Sequence, residues 1–317
     1  MLSYIPSVQF FPPLLAKGLG YFAEEGLDVD IQPSEGSSFV VQQVAGCNVQ
    51  SGLPASQAVL LGFRQSPNFK AIYQFATQSF GIYVLEDSPI QTVADLKGKK
   101  AGAPDLAGGE MLSLRIALER AGLAQGTDVT VEALGYNELG MAEALQAKRV
   151  DALSIYWSTS AIADHAGIPL RCITCTSDTP QVGMALVVND TLLAQNRAAL
   201  AGLGRAMAKA TLFAQTNPDA AVAVLQKVIP EGGTDTAQLK ASMLVAIEAI
   251  APKAGAAYGA NDVPAWQALM EGMLKPGSQS GLDQPVDVNA LVDNSLVAEF
   301  NTFDHDAIKK QATDYKP

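Results

Sequence analysis

The sequence predicts an α/β protein of two lobes, each a mainly parallel sheet flanked by helices, with two crossover strands between them acting as a hinge. Three features point there. The chain has 317 residues, more than one hydrophobic core usually serves. Up to Asn189, short β-rich runs alternate with amphipathic helical stretches, the pattern of sheets covered by helices. Beyond Asn189 the chain turns Ala-rich and helical, broken at Pro218, Pro252 and Pro276, because proline interrupts a helix interior.

Taken in order, Leu2–Ile5 is a strand fragment, and Pro12-Pro13 open a helix that Gly26 closes, with Leu15, Leu19 and Phe22 along one face. Leu27 to Ile31 alternates apolar and polar residues as a strand does. A helix begins near Ser37 or Ser38, a short strand runs Val49–Leu53, and a helix spans Ala55–Phe63. Strands follow at Lys70–Phe75 and Phe80–Leu85. A second series has strands at Lys99–Ala103, Val129–Leu134, Val150–Tyr156, Leu170–Cys175 and Met184–Val188, with helices at Gly109–Arg120 and Glu138–Ala147. The remaining helices are expected at 191–215, 218–229, 235–251, 262–274 and from Val288 to about Ala312. The expected crossings are Leu85–Ser88 and Val182–Met184. Residues 1–85 with 185–317 then form the first lobe and 86–184 the second.

Composition excludes several classes. Hydrophobic residues make up 48% and charged residues 17%, enough apolar surface to rule out global disorder. The net charge of -11, with no basic cluster, repels a phosphate backbone, so nucleic acid is not an expected partner. The longest uncharged stretch, Gly36–Phe63, contains Gln42, Gln43, Asn48, Gln50, Gly52 and Pro54 and is no membrane span. The start Met1-Leu2-Ser3-Tyr4-Ile5-Pro6 has no basic region, apolar core and cleavage site. Two readings remain, a cytoplasmic protein or a mature exported one whose leader a cloning Met has replaced, and a chain opening inside a strand favours the second. The cysteines are Cys47, Cys172 and Cys175. Cys172 and Cys175 have thioredoxin-like spacing, but on a strand they point to opposite faces and read as structural thiols. His165 and His305 have no metal-site spacing, so neither a metal nor a cofactor is expected.

In a two-lobed α/β protein a ligand lies between the lobes, outside the carboxyl ends of the strands. Loops that follow strands and start helices present free N–H groups there. Four such places occur: Ser7 to Phe10, the Gly36-Ser37-Ser38 turn, Pro54-Ala55-Ser56, and Leu106 to Glu110 with Gly109 between. Aromatic residues Tyr4, Phe10, Tyr136, Tyr156 and Trp157 fall at or just after strand ends, placed to stack on a planar solute. Thr77, Gln78, Glu110 and Gln181 are the candidate polar partners. The strand-end loops carry no Arg, Lys or His, the side chains that bind a simple oxyanion, so an uncharged or modestly polar planar solute is expected. Trp157, following the most buried strand, is expected at the mouth of the cleft.

Two phrases carry a family resemblance. Ser3-Tyr4-Ile5-Pro6-Ser7-Val8-Gln9-Phe10 leads to Ala16-Lys17-Gly18-Leu19-Gly20-Tyr21-Phe22 and Glu25-Gly26-Leu27-Asp28-Val29; later comes Val93-Ala94-Asp95-Leu96-Lys97-Gly98-Lys99. The chain resembles the NMT1/THI5-like periplasmic binding proteins, which include binders of sulfonates, taurine, thiamin pyrimidine precursors and riboflavin. The resemblance implies the two-lobed periplasmic-binding-protein fold and the solute-binding component of an ABC importer, monomeric, with a small-molecule solute and a membrane permease as partners. It implies a periplasmic or lipid-anchored extracellular location and capture by hinge closure. A sulfonate or oxyanion binder of the same fold is the alternative. Some relatives are thiamin-pyrimidine synthases with a histidine and a Cys-rich motif. Here Gln9-Phe10 stands where that histidine is expected and no Cys-Cys pair exists, so no enzyme is expected.

Overall fold

A computed structural model describes residues 1–2, 6–34, 36–76, 80–106, 109–175, 182–230, 235–252, 255–274 and 281–316. Among the described residues eight strands form two sheets. They are β1 (Ser51–Gly52), β2 (Phe69–Ala76), β3 (Phe80–Leu85), β4 (Lys100–Ala103), β5 (Thr130–Ala133), β6 (Ala152–Tyr156), β7 (Leu170–Cys172) and β8 (Met184–Asn189). The small sheet has the order β1-β8-β2 and the larger β5-β4-β6-β3-β7.

Pairing within the sheets is mixed. β4 runs parallel to β5 and β6, joined through helices, whereas β3 runs antiparallel to β6 and β7, and β8 antiparallel to β1 and β2. A parallel neighbour needs a long crossover, usually a helix; β3 and β8 each follow, in chain order, a strand of the other sheet. The first sheet change therefore falls between Ala76 and Phe80, not at Leu85–Ser88, because β3 bonds to β6 and not to β2. The second lies between Cys172 and Met184.

Period-two patterning places the cores. In β8, Met184, Leu186 and Val188 face one buried cluster with Phe10, Phe75 and Phe213, while Ala185 and Val187 face another with Trp266 and Phe69. In the larger sheet Ile82 and Val84 point to one side, Tyr83 to the other. Burying one such Val, Leu or Ile contributes about 1.5–3 kcal/mol, so a one-residue slip in β8 would forfeit several of them at once.

The phrases that carry the family resemblance do structural tasks. Glu25 accepts from Arg205 Nη2 at 2.8 Å and Nε at 3.0 Å, and from Lys209 Nζ at 3.1 Å, tying the Tyr21–Glu24 turn to the helix Arg197–Thr216. Burial pushes its carboxyl up, but these cations outweigh burial and hold it below the usual range. Thr92 and Asp95 cap each other reciprocally at the Val93–Leu96 turn, which drives Leu96 wholly into the core beside β4.

Several expectations need correction. Leu27–Ile31 forms no strand; Leu27, Val29 and Ile31 pack against the main core, so the alternation is real while the backbone has no ladder. Of the expected strand Leu2–Ile5, Leu2 bridges Leu53 and the rest lies outside the described residues. The helix Trp157–His165 follows β6 directly; its Trp-Ser-Thr-Ser start has weak helix propensity and is a poor signal. The last expected helix is three short ones, Val288–Leu291, Val297–Phe300 and His305–Asp314. β7 stops at Cys172, and the turn that follows brings Cys172 and Cys175 together as a disulfide, with Cα atoms 5.5 Å apart, so they are not free thiols on opposite faces. Cys47 is free and exposed.

Candidate functional site: a cleft between the two sheets

The two sheets meet where β3 and β8 begin, where β6 ends, and at the loops after β4 and β5. A small cavity of about 20 Å³ lies there. Gln9, Phe10, Gly36, Ser37 and Met184 form the wall on the small-sheet side, and Phe80, Asp105, Gly109, Glu110, Tyr136 and Tyr156 the opposite wall. That volume holds about one water, so the walls must part for a ring-sized solute to enter.

Each wall is built by local sequence. On the first, Gly36 has φ 123° and ψ 159°, a region essentially reserved for glycine, which turns the chain into the helix Ser37–Ala45. Ser37 does not cap that helix; its hydroxyl accepts the Ala55 N–H at 3.0 Å and locks two helix starts together. On the second wall, the helix Gly109–Arg120 starts against Phe80 and Ala55: a Cβ on Gly109 would lie 2.7 Å from the Phe80 ring and 3.2 Å from the Ala55 methyl. Only glycine permits this close approach. The Tyr156 ring meets Phe80 edge-on at 5.4 Å, and its hydroxyl donates to Met184 Sδ at 3.1 Å across the cleft.

The electrostatics of the cleft are acidic. Glu110 sits in the first turn of its helix; its backbone carbonyl accepts the Ser154 hydroxyl at 2.7 Å. Burial, then the nearby charges of Asp105 and Glu138, push its carboxyl up to about 7. The Tyr136 hydroxyl donates to Asp105. Burial also raises the Glu138 carboxyl, partly offset by the Ser158 and Thr159 hydroxyls that donate to it at 3.1 and 3.0 Å.

Among the candidates from sequence, Phe10, Ser37, Gly109, Glu110, Tyr136 and Tyr156 come together on this cavity. Ser7, Ser38, Pro54, Ala55, Ser56 and Trp157 do not line it. Ser38 is exposed on its helix and Ser7 half-buried ahead of a short 3₁₀ turn. Pro54, Ala55 and Ser56 are buried and hold β8: the Ser56 N–H donates to Gly183 O at 3.1 Å, its hydroxyl to Val182 O, and Ala185 N–H to Pro54 O at 3.3 Å. Trp157, expected at the cleft mouth, is 4% exposed and packs behind Tyr156, ring centroids 4.8 Å apart, inside the main core. Tyr4, Thr77, Gln78 and Gln181 lie outside the described residues.

Sequence reasoning missed Phe80, Asp105 and Met184 as wall residues, while Gln9 and Gly36 lie in two of the loops it singled out. Phe80 and Met184 open strands that run away from the cleft, so looking only at strand carboxyl ends overlooks them; Asp105, two residues past β4, satisfies the strand-end rule and was findable. A larger cavity of about 500 Å³ lies elsewhere, behind the helix Gly109–Arg120, lined by Ser113, Ala117, Arg120, Ala268 and Leu269 among others. It shares Phe80 with the smaller cavity but is lined mainly by the flanks of the helices Gly109–Arg120 and Val263–Met273, whereas the smaller cavity gathers the end of β6, the loops after β4 and β5 and the starts of two long helices. We therefore place the site at the smaller cavity.

This architecture, two α/β units with the cleft between them, is that of periplasmic binding proteins. The alkanesulfonate-binding protein SsuA from Xanthomonas axonopodis pv. citri, bound to MOPS, superimposes with a TM-score of 0.70 at 15% identity, over 93% of this chain and 97% of that one. The desulfurization enzyme DszB shares the fold too, with a TM-score of 0.60 at 16% identity over 95% and 96%. The chain belongs to the NMT1/THI5 like family, whose model matches residues 7–221. The riboflavin-binding protein RibY of Chloroflexus aurantiacus is 26% identical over 305 residues, 93% of this chain and 84% of its own. Among the described residues, no helix is long and apolar enough to cross a membrane and no group of His, Cys, Asp and Glu is arranged to hold a metal ion.

Proposed function

We propose that this protein is the solute-binding component of an ABC importer, working outside the cytoplasmic membrane and passing its solute to a membrane permease. The observation that carries the reading is the convergence of aromatic and polar residues from both sheets on one cleft, with the chain crossing between the sheets twice beside it. In this reading residues 1–76 with 184–317 form one lobe and 80–175 the other, and the crossings act as the hinge. The solute is a small planar or heteroaromatic compound, held between Phe10 on one wall and Phe80, Tyr136 and Tyr156 on the other. The lobes close over it, and the closed form is what the permease reads. The name of RibY, a relative that binds a flavin, supports a planar solute.

The MOPS-bound SsuA fold favours a second reading, a sulfonate binder. The cavity lining speaks against it, because among the described residues it supplies two carboxylates and no Lys, Arg or His. DszB shows that the fold also supports catalysis, yet among the described residues this lining has no Cys or His to act as nucleophile or base.

A thermal-shift screen over flavins, pyrimidines, sulfonates and aromatic acids tests the proposal. At least one compound raises the midpoint, by mass action on the folded state, and small-angle scattering shows the molecule contracting with it. A hit that the protein consumes with turnover, or a panel with no hit, overturns the reading.

A further inference from the structure

We propose that the cleft selects an aromatic solute carrying a positive charge, with Glu110 and Asp105 facing that charge and Phe80 and Tyr156 taking the ring. The inference rests on the cleft being the solute site and adds the class of solute. Charge bookkeeping supports it. Among the described residues two carboxylates line the cavity and no cationic side chain does. Against them stand two helix N-termini, each equivalent to about half a positive charge. With Glu110 ionised, the helices starting at Gly109 and Ser37 together offset about one of the two carboxylate charges. The balance is negative and the enclosed site has a low dielectric, so an anion is repelled and a cation attracted. The aromatic rings act in the same sense, since each face carries a negative quadrupole that attracts a cation.

The groups around Glu110 give the pH dependence. Asp105 comes from the loop after β4, Glu138 from the helix Glu138–Gln146, and Tyr156 from β6; the two carboxylates raise the Glu110 carboxyl further above the usual range, after burial. Tyr136, donating to Asp105, completes the polar edge. As pH rises through about 7, Glu110 ionises and its attraction for a permanent cation grows.

Three ring compounds of similar size separate the possibilities: benzyltrimethylammonium, benzyl alcohol and benzenesulfonate, with affinity measured by thermal shift and calorimetry at pH 6 and pH 8. The account expects the ammonium ion to bind at least tenfold more tightly than the alcohol or the sulfonate, and several-fold more tightly at pH 8 than at pH 6. In the double variant Glu110→Gln, Asp105→Asn, which keeps side-chain size, the preference and the pH effect disappear while the unliganded melting point shows the fold intact. If the sulfonate or alcohol equals or exceeds the ammonium ion, or the double variant keeps the preference, the charge assignment is wrong while the solute-binding reading stands. If none of the three binds and the wider screen is also empty, both fail; if only the wider screen gives hits, the charge assignment alone fails.

Discussion

Trp157→Ala is expected to cost about 3–5 kcal/mol of stability, the range for truncating a large buried aromatic, and to lower the melting temperature of the unliganded protein by roughly 10 °C at this chain length. Trp157 opens the helix Trp157–His165, is 4% exposed, and shares a buried cluster with Tyr156, Leu239, Met243 and Phe10. The helix it begins packs on the helix Thr236–Ile250, so the indole fills the space between the larger sheet and the C-terminal helices. Its removal leaves a cavity that backbone of two elements would have to close. Ligand affinity changes only through the Tyr156 ring that it supports. Urea denaturation and calorimetric titration of this single variant check both statements. A variant that melts normally but loses its ligand would return Trp157 to the cleft wall.

Glu110 is expected to make the protein less stable as pH rises from about 4.5 to about 7. The sign follows from linkage: its folded value lies near 7 against an ordinary value of 4.5, so the folded state holds the proton more tightly than the unfolded chain. That stability is fully present below 4.5 and lost as pH rises through about 7. The full shift corresponds to about 3 kcal/mol, and partial exposure of the side chain reduces this to about 1–2 kcal/mol. Glu138, also raised, acts in the same direction, whereas Glu25, Asp95 and Asp235, all lowered, act in the opposite one at pH below their ordinary values. The net profile therefore mixes signs, and the clean quantity is the wild-type minus Glu110→Gln difference. Denaturation at pH 5 and pH 8 should show that difference shrinking or reversing at the higher pH. Parallel profiles would contradict the placement of Glu110 in an enclosed acidic pocket.

Much of this architecture was legible because burial writes itself into period and punctuation. β8 alternates its two apolar sets, and the helix Gly109–Arg120 is bounded by glycine at its start and Gly122 beyond its end. What sequence left obscure was pairing. Nothing in Phe80–Leu85 says whether it bonds to the strand before it or to β6, so the first crossing was misplaced. Leu27–Ile31 alternates because one side packs on the core, which a lone extended segment does as well as a strand. The site was half legible for the same reason. Tyr156 and Trp157 are neighbours at a strand-to-helix junction, and only the turn of the backbone decides that the phenol faces the cleft and the indole the core. Cys172 and Cys175 read as strand residues until the early end of β7 brings them together.

The most direct test of the central claim, that solute binds between the two sheets, compares two substitutions on the best compound from the screen. Tyr136→Ala removes an aromatic from the small cleft, and Ala268→Leu fills the larger cavity behind the helix Gly109–Arg120 from an exposed helical position. By isothermal titration calorimetry, Tyr136→Ala should weaken binding about tenfold, as loss of about 1.4 kcal/mol of ring contact requires, while Ala268→Leu leaves the affinity unchanged. Binding that survives Tyr136→Ala and is abolished by Ala268→Leu would contradict the account and move the site to the other cavity.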